Sequence, residues 1–158
     1  MGKGKGKKQK QATKDDGLQF IKNAIETKSI SRSEVETLAN IDYPLFSFRY
    51  FKNVSAKDCN DAKFFLDYIT RLQKLSELGW DEIRKSHPHS FGMEAMPKAQ
   101  IRHNGLLPTF VTKEVDLHIF RAVGDNRVMV GLQEGKIFHV FFIEAKFGDI
   151  SPHLSKVN

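Results

Sequence analysis

All six histidines of this 158-residue chain, His87, His89, His103, His118, His139 and His153, lie in its second half. Four arginines share that half: Arg84, Arg102, Arg121 and Arg127. Imidazole titrates near neutrality and can give or take a proton. Guanidinium keeps its charge at any cellular pH, and its planar fork matches phosphate oxygens. These groups are the parts needed to cleave RNA without a metal. A base takes the proton of the ribose 2′-hydroxyl, cations stabilise the crowded phosphate, and an acid protonates the leaving 5′-oxygen.

The elements that must hold these groups follow from apolar spacing. Leu18, Ile21 and Ile25 fit one short amphipathic helix. A second opens with Ser31 and Glu34 in capping-box register, ahead of Val35 and Leu38. Leu45 to Phe51 reads as an aromatic strand. Ser55 is placed to cap a long helix whose buried stripe is Ala62, Phe65, Ile69, Leu72 and Leu75, with Gly79 at its end. Trp80 to Lys85 predicts one more short helix. The period then changes to two. Val115, Leu117 and Ile119 alternate, as do Val128, Val130 and Leu132, and Ile137 to Ile143 is almost wholly apolar. Turns at Gly124-Asp125-Asn126 and Glu134-Gly135 join them into a three-stranded antiparallel meander with a buried last strand. The expected fold is α+β: a first strand, a helical layer, then the meander.

Composition narrows the setting. Residues 1–14 carry six lysines and no acid, so removing them leaves 19 basic against 19 acidic residues. The net charge of +6 therefore belongs to the tail, which we expect to be disordered and able to touch polyanions. Residues 15–40 form a helical extension, and 41–158 the folded domain. Cys59, alone, excludes an internal disulfide and fits a cytoplasmic setting. No apolar run is long enough to span a bilayer, so no membrane partner is expected.

From Phe46 onward the chain resembles the RelE/ParE superfamily of small bacterial toxins, most nearly its YoeB-like branch of mRNA interferases. Three stretches carry the resemblance: Gly92-Met93-Glu94-Ala95 before the meander, Ile119-Phe120-Arg121 followed by Asn126-Arg127-Val128-Met129-Val130, and the final HVFFIEAKF with His153 beyond it. The family's tyrosine after that histidine is missing from Pro152-His153-Leu154. The resemblance implies a ribosome-dependent endoribonuclease that uses no metal and no cofactor. Glu94 would be its base, Arg121 and Arg127 its phosphate ligands and His153 its acid. Its partners would be RNA or the ribosome and a cognate antitoxin. Arg102, His103 and Lys146 are candidate contacts to the RNA backbone.

Two other readings stay open. Val115-Asp116-Leu117 with Ile143-Glu144-Ala145-Lys146 resembles the PD-(D/E)xK nucleases, in which Asp116, Glu144 and Lys146 would gather a metal ion and a water. Alternatively, the aromatic first strand with Phe64 and Phe65 leaves an apolar groove for a partner helix, and the protein is a non-catalytic binder. His87 and His89 also suggest a weak zinc site.

Overall fold

The computed structural model describes Lys22, Glu26, residues 31–40 and residues 42–152, the backbone alone for 36–39. The chain divides into two units, Met1–Ile41 and Asp42–Asn158. Of the first, helix α1 spans Arg32–Asn40. It carries the capping box expected from sequence. The Glu34 N–H donates to Ser31 Oγ at 3.2 Å, and the Ser31 N–H donates to Glu34 Oε2 at 2.9 Å. Two orphan donors of the first turn are thereby satisfied. The lysine-rich tail and the core positions of the preceding helix lie outside the described residues.

The second unit is α+β, but its sheet is larger than a three-stranded meander. It holds five strands: β1 (Leu45–Ser47), β2 (Glu94–Pro97), β3 (Asp116–Arg121), β4 (Val128–Glu134) and β5 (Ile137–Ile143). Their order is β1-β5-β4-β3-β2. The meander β3-β4-β5 is present within it, antiparallel throughout. Strand β1 adds parallel to β5, and β2 adds antiparallel to β3, so the sheet is mixed. Strand β5 is flanked on both sides, as its continuous apolar run predicts.

Strand β1 is shorter than the aromatic stretch suggested. The chain turns at Phe48, where the Phe51 N–H donates to the Phe48 carbonyl at 3.1 Å. It rejoins β5 through Lys52 N–H to the Phe141 carbonyl at 2.8 Å. Strand β2 is not among the elements that apolar spacing predicts. Its four residues show no apolar alternation, and Pro97 is tolerated because the strand is at the sheet edge.

Helix α2 (Ala62–Lys85) covers one face of the sheet. Its cap is Asp61 rather than Ser55, which precedes a separate 3₁₀ turn, Ala56–Asp58. The Phe64 N–H donates to Asp61 Oδ1 at 3.3 Å. Gly79, at φ 78°, interrupts the helix, and Trp80 restarts it with its N–H on the Asp42 carbonyl at 2.6 Å. A side chain at Gly79 would meet that same carbonyl at 2.5 Å. The buried stripe is Phe64, Tyr68, Leu75, Trp80 and Ile83, packed on Phe120, Met129, Phe138 and Val140. Of the stripe expected from sequence, Leu75 is buried and Leu72 partly so, while Phe65 and Ile69 are 37% and 58% exposed. Two apolar rows run side by side on this helix, and spacing alone does not say which one meets the sheet.

On the opposite face the described residues of this unit place no α-helix. The irregular segment between β2 and β3 covers it with Ile101, Leu107, Val111 and Val115, joined by Tyr50, Val54 and Ile150. A bulge between Val130 and Gly131 lets β5 serve both cores. Phe138, Val140 and Ile143 face the helix side, and Phe141 and Phe142 the other.

Candidate active site

The β3–β4 hairpin and β2 end together at one edge of the sheet, because Glu94 is in register with Ile119, and Arg121 with Val128. A cleft of about 450 Å³ opens there. Its floor is apolar, formed by Met96, Ile119, Phe120 and Val128. Its walls are Glu94, Arg121 and Asn126 from the strands and hairpin, Pro88 and His89 from the turn after α2, and Phe147, Ser151 and Pro152 from the C-terminal segment. A half-open pocket with an apolar floor and convergent polar groups is the usual form of a small-molecule or substrate site.

Arg121 is held in place by two partners. Its Nη1 donates to Asn126 Oδ1 at 2.5 Å, and its Nη2 donates to His89 Nδ1. Guanidinium never accepts. His89 Nδ1 must therefore be the acceptor, which puts the proton of neutral His89 on Nε2. His89 is itself positioned by its neighbour: its backbone N–H donates to His87 Nδ1 at 3.1 Å, and the two rings stack at 5.1 Å. Gly92 lets this turn close, since a Cβ there would lie 2.2 Å from the Ser86 carbonyl.

Arg127 does not line the cleft. Its Nε donates to both Asp125 carboxylate oxygens at 3.1 and 3.0 Å, and its Nη1 to the Ala145 carbonyl at 3.0 Å. Its guanidinium lies 4.5 Å over the Phe64 ring, on the helix side of the sheet. Burial raises the Asp125 pKa, but the hydrogen bonds from Arg127 outweigh it and hold the carboxyl below its ordinary value. This arginine fastens the hairpin to the core. Arg102, His103 and Lys146 are exposed and outside the cleft walls. His103 occupies a left-handed turn, and Arg102 is tied by its backbone N–H to the Ile150 carbonyl at 2.8 Å. His153 lies outside the described residues; Pro152, which precedes it, lines the cleft.

The acids of the metal-nuclease pattern are not brought together. Asp116 opens β3 opposite Pro97, whereas Glu144 follows β5 at the other end of the sheet, its N–H on the Val128 carbonyl at 2.8 Å. Six residues of strand separate these ends by roughly 17 Å. Glu144 is wholly buried, and its Oε2 accepts the N–H groups of Ile150 and Ser151 at 2.9 and 3.0 Å. It folds the C-terminal segment back against the sheet. Among the described residues no three His, Cys, Asp or Glu side chains are grouped to hold a metal ion, so His87 and His89 lack a third ligand there.

His89, offered by the sequence only as a general histidine and half of a weak zinc pair, and Asn126 are the cleft residues given no site role there. His89 had one signal, its place in a His-Pro-His turn just before Glu94. Asn126 was visible only as a turn former. No family model, curated protein or solved structure matches the chain.

Proposed function

We propose that the protein is a RelE-like toxin, a metal-independent and ribosome-dependent endoribonuclease acting on mRNA. One observation carries the reading: Glu94, Arg121 and His89 share a single cleft at a rigid sheet edge. In the mechanism, the Glu94 carboxylate takes the proton from a ribose 2′-hydroxyl. The freed 2′-oxygen attacks the adjacent phosphorus, Arg121 stabilises the charge that builds on the phosphate, and the bond to the 5′-oxygen breaks. The products are a 2′,3′-cyclic phosphate and a 5′-hydroxyl. We assign protonation of the leaving oxygen to His153, by its place after the cleft-lining Pro152. His89 in its neutral form offers an Nε2–H donor to a phosphate oxygen. Arg127, assigned to the phosphate by resemblance, serves the hairpin instead.

The wide separation of Asp116 from Glu144 favours this chemistry over the metal-dependent alternative. The test is cleavage of RNA, free and on ribosomes, with and without EDTA, with product ends identified. A 2′,3′-cyclic phosphate and a 5′-hydroxyl at the product ends support the reading; ends left by attack of water, with no cyclic phosphate, overturn it.

A second, non-catalytic reading rests on a different place. Phe48, Phe51, Phe65, Tyr68 and Ile69 line a separate, largely apolar groove of about 270 Å³ beside α2. An amphipathic helix from a partner protein would fit a surface of this chemistry. If wild type cleaves neither RNA nor ribosome-bound mRNA, this reading takes precedence.

A further inference from the structure

A second groove, of about 310 Å³, adjoins the cleft. The two share both of their loop walls. The turn after α2 gives His89 to the cleft and Phe91 to the groove, and the β3–β4 hairpin gives Arg121 to the cleft and Val123 and Gly124 to the groove. The remaining wall is α2, through Asp67, Thr70, Arg71 and Lys74.

The charges of this wall are poorly balanced. Asp67 is engaged by Lys63 at 2.6 Å, and Asp125 across the hairpin is engaged by Arg127 at 2.9 Å. Arg71 pairs with no carboxylate among the described residues. Its Nη2 donates to the Ser90 carbonyl, its plane lies 4.1 Å from the Phe91 ring centre, and its Nε is sealed from solvent without an acceptor. Burial, and then the charge of Arg121, hold the Arg71 pKa below its ordinary value. Arg71 and Arg121 are thus near enough to repel each other, and neither forms a salt bridge with a carboxylate among the described residues. Lys74 adds a third cation, 58% exposed and only loosely placed at 3.5 Å from Glu77. Such a strip attracts a polyanion that can bridge its charges.

We infer that the Arg71–Lys74 groove is a second phosphate subsite, which takes a backbone phosphate of single-stranded RNA flanking the one held at Arg121. This rests on the ribonuclease reading of the cleft. Arg71 has a further effect as a positioning residue, because its bond to Ser90 and its stacking on Phe91 fix the turn that carries His89.

The test uses the full chain and 2′-O-methyl oligonucleotides, which cannot be cleaved, as a dinucleotide and as a ten-mer. Binding is measured by fluorescence anisotropy for wild type, Lys74→Glu and Arg71→Gln. Comparison between variants at each length cancels the contribution of the lysine-rich tail. Lys74→Glu should weaken the ten-mer by about five-fold or more and leave the dinucleotide unchanged. Its salt dependence should fall by about 0.7 in log–log slope for the lost phosphate contact. Arg71→Gln should weaken the ten-mer more than the dinucleotide. If Lys74→Glu weakens both lengths equally, or neither, the subsite is overturned while the cleft reading stands. If wild type binds neither oligonucleotide and cleaves no RNA, both fall together.

Discussion

Arg121 and Arg127 flank the same hairpin, are the same residue type and lie six positions apart, yet the structure gives them different work. Arg121 stands in the cleft wall with Asn126 and His89. Arg127 is only 24% exposed and spends its donors on Asp125 and the Ala145 carbonyl. Arg121→Ala should therefore abolish RNA cleavage with little change in the denaturation midpoint. Arg127→Ala should lose about 1–2 kcal/mol of stability, from its hydrogen bonds and its contact with the Phe64 ring. Urea melts and cleavage rates on the same preparations separate the two, and the reverse pattern would refute the assignment. A third residue makes a pH prediction. His118 has its Nδ1 on the Gln133 N–H at 3.0 Å, and burial holds its pKa below the ordinary 6.5 against the opposing charge of Asp116. The unfolded chain then binds a proton before the folded one does. The stabilisation is complete above about pH 6.5 and is lost as pH falls from there through the lower folded pKa. His118→Asn should flatten that acid limb in urea melts taken across it; identical limbs would exclude His118 as its source.

At the level of elements, Gly131 shows how tightly β4 and β5 are fitted. A Cβ there would lie 2.1 Å from the His139 carbonyl and 2.6 Å from the Phe138 ring, both fixed by the sheet. Gly131→Ala should cost about 2–3 kcal/mol and broaden the β5 amide signals, since neither neighbour is free to move. An unchanged melting curve would mean that the bulge absorbs the methyl. Sequence patterning made the meander legible because its strands alternate and its turns carry Gly, Asp and Asn. It missed β2 because EAMP has no period and takes its strand form from pairing with β3. It overextended β1 because aromatic content does not reveal the turn at Phe48. It chose the wrong row of α2 because both rows are apolar. The site was legible to the same degree. Glu94 and Arg121, read as motif positions, both line the cleft. The distinction between Arg121 and Arg127 needed the core, since only packing shows that Phe64 lies under one of them.

At the level of the whole molecule, the described residues of both cores lie beyond Asp42, from Phe46 to Ile150. A chain beginning at Asp42 should keep its sheet, its cooperative melt and EDTA-resistant cleavage, measured by circular dichroism and by product analysis. A non-cooperative melt would show that the first 41 residues contribute to the fold. The topology has a further consequence, for the order in which the molecule forms. The meander pairs neighbours in sequence and can assemble by local search. The parallel contact of Leu45 with Ile137 joins positions more than half the chain apart, so its loop-closure entropy is met late. Before β1 adds, β5 paired with β4 alone has an open edge, with unpaired amides beside Phe138 and Phe141. That edge is a template for any passing strand. Three residues of β1 close it, so this short parallel strand is what protects the edge of β5.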